Sequence, residues 1–396
     1  MKQKLLVFLI SVGGVVDSLA EAANVVFQQR PIPEGVALEG HAQGAKTYGY
    51  RIPSLCVTNS GTILAFCERR LGLHDHAQND IVLKRSTDGG KTWVEEIIVV
   101  EDGMNSINDP LTVQLNDGRI LLMHARFPYG RHARAAGWIK RAEVGYDDPD
   151  LNVLTFISHS DDDGKTWSKP RDISRSVKPP HWINANTPGQ MVQISRGKHK
   201  GRVITGLWGA VPAGKGRTWE ILAAYSDDSG KTWLRTEPLT DVSGKGFPNE
   251  CQVAEASNGD IVLISRNQGG ATFRKKAISR DGGATWSDIV VDKTLPSVAC
   301  MGSVIKGPVK DDGSWDLYAS FPSDKGRRDG QIARSVDNGK TWEIQKTIPG
   351  AFAYSALQIA PDGRHLLCLY EADGYKQVKL LTIALDQLSG SEKKNP

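Results

Sequence analysis

The first concentration of chemistry-bearing side chains is Tyr50-Arg-Ile-Pro53, followed by Phe66-Cys-Glu-Arg-Arg70 and then Asp75. Arginine presents a planar, permanently charged fork that matches a carboxylate, and Asp or Glu can exchange protons with a reacting group. The same residue types recur later, at Asp109, Glu250, Glu255, Arg266, Arg274, Arg327, Arg328, Tyr354 and Glu371. Taken singly, each is an ordinary surface arginine, an acid at a strand end or a tyrosine in a core. Five other acids, Asp88, Asp162, Asp228, Asp281 and Asp337, belong to a different class because they occupy equivalent positions of a repeat. Five equivalent acids cannot all lie at one active centre, so they are read as structural.

That repeat, Ser-x-Asp-x-Gly-x-Thr-Trp, defines the elements that must position the rest. It runs Ser86–Trp93, Ser160–Trp167, Ser226–Trp233, Ser279–Trp286 and Ser335–Trp342. The unequal spacing of its copies is that of a supersecondary unit with loops of variable length. A short carboxylate followed by glycine suits a hairpin turn, with the Asp accepting hydrogen bonds from the turn's own backbone. The closing Trp is large and mostly apolar and is expected to pack between neighbouring sheets. Between the copies, Thr62–Phe66, Arg119–Met123, Val203–Leu207 and Ile261–Ile264 alternate as strands, and helical periodicity is scarce. Units of roughly 55 residues fit an all-β, six-bladed β-propeller, with strands from both termini closing the sixth blade. The stretch Phe127 to Val153, with Tyr129, Arg131, Arg134, Trp138 and Arg141, is the longest irregular one and reads as a solvated connector, the alternative being a loop over one face.

Composition agrees with one folded β-rich body: 39% hydrophobic and 24% charged residues with 41 glycines in 396 residues. A formal charge of +4, not concentrated in a run, gives no support for nucleic-acid binding and tolerates an anionic ligand. Lys2 and Lys4 precede the apolar stretch Leu5 to Val16, and small residues follow through Ala20, Ala22 and Ala23, the layout of a secretory leader. The expected organisation is therefore a leader over 1–23, a single domain over 24–396, a secreted or periplasmic destination and no stable membrane insertion once the leader is removed. The five cysteines, Cys56, Cys67, Cys251, Cys300 and Cys368, sit in apolar strand-like contexts and are expected to be buried thiols. None has the spacing of a zinc site.

With the Arg-Ile-Pro motif ahead of the repeats, the chain resembles the exo-α-sialidases, or neuraminidases, from about Thr47 to Leu381. The resemblance implies a sialidase-like propeller that acts on terminal sialic acids of glycoproteins, glycolipids and oligosaccharides, with no metal and no organic cofactor. Carried over position by position, Arg51, Arg274 and Arg328 match the three arginines that grip the substrate carboxylate. Arg266 competes with Arg274 and Arg327 with Arg328; distance to the following repeat favours Arg274 and Arg328. Tyr354 matches the nucleophile and Asp75 the acid and base. Glu255 matches the carboxylate that activates the tyrosine, with Glu250 competing; strand alternation allows at most one of the two to face the site. Glu371 corresponds to the acid that orients the first arginine, and Arg70 and Asp109 to residues around O4 and the N-acyl group.

Chemistry supplies a reason for this set. Sialic acids carry a carboxylate on the anomeric carbon, which repels an anionic nucleophile and favours a neutral phenol beside a base; sialidases are the tyrosine-nucleophile exception among glycosidases. The expectation is a retaining exo-α-sialidase. Its alternatives are a silent glycan-binding propeller, or an enzyme that acts on another 2-keto sugar acid or gives an anhydro or transfer product.

Overall fold

The computed structural model describes residues 23–133, 139–214, 216–269 and 272–388. The leader expected over 1–23 lies outside them except for Ala23, as do Arg134 and Trp138. Apart from a helical turn at Ser174–Val177 and three 3₁₀ turns, regular structure among the described residues is strand, in a propeller-like arrangement of antiparallel sheets.

The first sheet runs Arg30–Pro31, Thr47–Val57, Ile63–Leu71, Asp80–Ser86, Ile97–Val100. The second is ordered Arg171–Asp172, Leu154–Ser160, Ile120–Phe127, Ser106–Gln114, with Gly189–Gln190 adding in parallel at the inner edge. Two four-stranded sheets follow, over Val192–Arg235 and Phe247–Pro296. The last sheet has seven strands because Glu343–Ile359 serves two groups. Its first half pairs with Arg328–Ser335 and its second with His365–Ala372. Beyond His365–Ala372, Gln377–Ala384 pairs with the N-terminal strand Asn24–Gln28.

The repeats form hydrogen-bonded turns of one design. In each copy the serine hydroxyl donates to Oδ1 of the aspartate at 2.8 to 2.9 Å. The threonine hydroxyl donates to Oδ2 at 2.6 Å. The Asp is spent on its own turn, in accord with its structural reading. The repeat's glycine has a further reason: at Gly230 and Gly283, both at positive φ, an added Cβ would lie within 2.7 Å of Leu121 and 1.9 Å of Ile204, residues of the preceding sheet. The tryptophans seal the same junctions. Trp167 meets Phe66 edge-on at 5.7 Å, and Trp233 and Trp342 are buried in clusters that draw on two sheets each. All five cysteines are free and buried.

Candidate active site

A cavity of about 320 Å³ opens where the inner strands of the sheets converge, lined in part by Arg51, Arg70, Asp75, Asp109, Glu250, Arg266, Arg327 and Tyr354. Four of the strands that feed it carry a register shift at the level of the cavity: between Arg51 and Ser54, Asn108 and Leu111, Pro248 and Cys251, and Phe352 and Ser355. A bulge re-aims a side chain that strict alternation would direct elsewhere, and these bulges present Arg51, Asp109, Glu250 and Tyr354.

Two bulges place a non-glycine residue at positive φ, Ile52 at 59° and Asp109 at 59°, a conformation that persists only when its surroundings enforce it. A buried carboxylate does so in each case. Glu371 accepts Arg51 Nε at 2.8 Å and Nη2 at 3.1 Å, the backbone N–H of Ile52 at 2.9 Å and that of Tyr354 at 3.1 Å. Glu68 accepts Arg70 Nε at 2.8 Å and the backbone N–H of Asp109 at 2.7 Å.

At the centre, the Tyr354 hydroxyl donates to Glu250 Oε1 at 2.5 Å and accepts from Arg266 Nη1 at 3.1 Å. Arg266 Nη1 also donates to Glu250 Oε2 at 2.8 Å. The guanidinium carbons of Arg51 and Arg327 lie 5.2 and 5.4 Å from the Tyr354 ring centre. Burial, then the Glu250 charge, push the phenol well above its ordinary range against the pull of Arg266 and Arg327. The tyrosine is therefore held neutral beside an acceptor for its proton. Tyr375 braces the arginines: its ring lies 4.4 Å from the Arg51 guanidinium and its hydroxyl accepts from Arg327 Nη1 at 3.1 Å.

Asp75 stands at the rim, its side chain 61% exposed, accepting from Arg70 Nη1 at 2.8 Å with Arg51 Nη1 at 3.9 Å. Burial of the loop raises its pKa, but Arg70, Arg51 and His76 outweigh that and hold it well below the usual carboxylate range. Asp109 is driven the other way, by burial and by Glu68 and Glu250, and accepts a hydrogen bond from Asn186.

Three expected residues are not brought to this centre. Glu255 lies at the far end of the strand Phe247–Glu255, fully buried, where it accepts from Ser195 N and Oγ, Arg196 N and Lys306 Nζ. Glu250 occupies the position expected for it, because the bulge after Pro248 turns it inward. Arg274 is buried behind the site, donating to Ser297 Oγ at 3.2 Å and the Cys300 carbonyl at 3.1 Å. Burial lowers its pKa to about 10, against the opposing pull of Cys300 and Glu250. Arg328 points outward with its side chain 61% exposed and pairs with Asp329 at 2.9 Å. Arg266 and Arg327 line the cavity instead. Arg51, Arg70, Asp75, Asp109, Tyr354 and Glu371 are gathered at the cavity or directly behind it.

Comparison with known proteins supplies the family. A BNR repeat-like domain is matched over residues 61–367, and a sialidase of Micromonospora viridifaciens is 34% identical over 81% of this chain. The chain belongs to the BNR-repeat sialidase family. It spans 50% of the length of the Micromonospora relative and 61% of a Bacteroides fragilis sialidase that is 32% identical over 84% of this chain. Among solved structures of sialidases, a Hadza microbial sialidase superposes with a TM-score of 0.73 at 29% identity, covering 85% of this chain and 66% of that one. The intramolecular trans-sialidase of Ruminococcus gnavus shares the fold with a TM-score of 0.70 at 22% identity, over 86% and 95% of the two chains.

Site residues that sequence reasoning did not single out are Glu68, Tyr375, Asn186, Trp208, Trp219 and the pair His76 and His132. Glu68 lies inside the stretch Phe66–Arg70, two residues before Arg70, whereas Tyr375 lies outside the motifs read from the sequence. Phe127, His132 and Ala133 of the long irregular stretch also line the cavity, so that stretch is more than a solvated connector.

Proposed function

We propose that this chain is a retaining exo-α-sialidase that removes terminal α-ketosidic sialic acid from glycoconjugates. The observation that carries this reading is the Tyr354–Glu250 hydrogen bond of 2.5 Å set among Arg51, Arg266 and Arg327. The three guanidinium groups hold the substrate carboxylate, with Arg51 fixed by Glu371. Tyr354 attacks the anomeric carbon as its proton passes to Glu250, and the bond to the leaving oxygen breaks as Asp75 protonates it. In the second step water, deprotonated by Asp75, attacks the anomeric carbon and releases the tyrosine, which recovers its proton from Glu250. This inverts the centre twice, and retention follows. Asp75 is ionised in the free protein; a substrate carboxylate seated on Arg51 offsets the positive field that keeps it so, and Asp75 then takes up the proton that the first step requires. No metal or organic cofactor enters these steps.

The same reading takes the chain as one six-bladed propeller over residues 24–396, its seven-stranded sheet being two blades that share Glu343–Ile359. It takes residues 1–23 as an export leader, sialylated glycans as partners and the destination as secreted or periplasmic. An anhydrosialidase of Macrobdella decora, 30% identical over 93% of this chain and 64% of its own length, keeps an anhydro product as the second reading. The test is hydrolysis of a fluorogenic α-sialoside by the parent and by Tyr354→Phe, with the released sugar identified by NMR. Turnover lost in the variant supports the reading. A folded parent without turnover refutes it, and an anhydro sugar selects the second.

A further inference from the structure

We propose that Glu68 is the residue that positions Asp75, acting on it through both its carboxylate and its backbone; the inference rests on Asp75 being the acid and base of the proposed reaction. Glu68 lies on the strand Ile63–Leu71 and is fully buried. A buried carboxylate persists only when its lone pairs are taken up. Its acceptor positions are filled by Arg70 Nε at 2.8 Å and Nη2 at 2.5 Å, Asp109 N at 2.7 Å, Asn108 Nδ2 at 3.3 Å and Asn79 Nδ2 at 3.4 Å.

Three of these donors reach onward to one residue. Arg70 Nη1 donates to Asp75 Oδ1 at 2.8 Å, Asn79 Nδ2 to the Asp75 carbonyl at 2.7 Å and Asn108 Nδ2 to the same carbonyl at 3.0 Å. Glu68 thus never touches Asp75, yet it orients the guanidinium that aims the carboxylate and the two amides that fix the main chain. The Asp75 side chain is largely exposed, so its aim depends on this arrangement. The Arg70 ion pair alone would account for a neutralising acid; the convergence of both amides on the Asp75 carbonyl is what neutralisation leaves unexplained.

Leaving-group dependence separates positioning from a merely structural role. An acid matters when the departing oxygen is a poor leaving group and hardly matters when it leaves as a stabilised phenolate. Glu68→Gln places an amide N–H against Arg70 or the Asp109 N–H, and Asp75 loses its aim. The expected result is a fall in kcat of about 100-fold on a sialyl-sugar but of less than about 5-fold on an aryl sialoside. Asp75→Asn should give the same pattern, and the double variant should add little to either single one. Equal losses on both substrates, or additive losses, overturn the proposal. Asp75→Asn without leaving-group bias refutes the underlying acid–base reading instead. If Glu68→Gln does not fold, Asn79→Ala decides: it cuts one amide without stranding a charge, and the expected outcome is about a 10-fold loss on the sugar substrate against about 2-fold on the aryl one. No bias there overturns the proposal.

Discussion

Exchanging the two candidate bases one at a time separates chemistry from architecture on a single strand. Glu250→Gln leaves the Tyr354 hydroxyl without a base, and removing such a group lowers kcat by about 10²–10⁴-fold. Glu255→Gln should behave in the opposite way. Glu255 accepts Ser195 Oγ at 2.6 Å, Ser195 N at 3.0 Å and Arg196 N at 3.1 Å, a set that ties the neighbouring sheet to its own strand. Hydrogen bonds to a buried charge contribute about 1.5–3 kcal/mol each. The amide replaces one acceptor with a donor facing donors, so one or two such bonds are lost. The Lys306 pair at 3.2 Å adds about 1 kcal/mol at most because that lysine is partly solvated. The sum is a loss of about 2–7 kcal/mol, a fall in Tm of about 4–14 °C at roughly 2 °C per kcal/mol for a chain of this size. The assay is kcat on an aryl sialoside at 25 °C beside a thermal melt. Glu255→Gln should stay within about 3-fold of the parent in kcat while losing stability. A folded Glu255→Gln that has lost 100-fold in kcat, or a Glu250→Gln that keeps more than a tenth, would refute the assignment.

Arg327→Ala should lower kcat/KM by about 10²–10³-fold through loss of a desolvated carboxylate contact, whereas Arg328→Ala, exposed and paired with Asp329, should stay within about 2-fold; comparable losses in both would contradict the geometry. Calorimetric titration with a 2,3-didehydro sialic acid near pH 5, in buffers of different ionisation enthalpy, should report proton uptake of up to about one proton as the ligand's carboxylate offsets the field that depresses Asp75; heats independent of buffer would count against that coupling. His124 is buried with neither ring nitrogen hydrogen-bonded among the described residues, and burial lowers its pKa to about 3. Between pH 3 and 6.5 the unfolded chain binds a proton there that the folded chain does not, so stability is fully present above about 6.5 and declines as pH falls, by about 2 kcal/mol at pH 5. His124→Phe, measured by denaturant melts at pH 5 and 7.5, should narrow the gap between the two pH values; an unchanged gap would show that His124 is not its source.

The repeated architecture was legible in the sequence because the Ser-x-Asp-x-Gly-x-Thr-Trp turns obey local rules: the Asp is satisfied within its own turn and the Gly is demanded by contact with the preceding sheet. The early half of the site was legible too, since Arg51, Arg70 and Asp75 follow one another closely, in and just after two motifs ahead of the first repeat. The later half was harder. Alternation correctly allowed only one of Glu250 and Glu255 to face the cavity, but choosing between them required knowing that the bulge follows Pro248, and a bulge leaves no fixed residue pattern. Distance to the next repeat misled for the arginines because it measures position along the outer strands. Arg266 reaches the cavity from near the end of the second strand of its sheet, before the hairpin that leads to Arg274, and Arg327 from the residue just before a strand that Arg328 begins. Glu68 and Tyr375 contact arginines of the site, and no spacing rule links a residue to the guanidinium that it braces.

The pairing of Asn24–Gln28 with Gln377–Ala384 sets an order of events during synthesis. Asn24–Gln28 is made long before Gln377–Ala384, so it waits for this partner while the sheets between them are synthesised. The Arg51–Glu371 fork spans the same seam, and Tyr354 belongs to the same late sheet. The candidate site is therefore completed only when this late sheet joins the early one, because Tyr354 and Glu371 arrive with it. Recovery of activity during refolding thus serves as a clock for ring closure, and a lag between the return of β-structure and the return of turnover would time that final event.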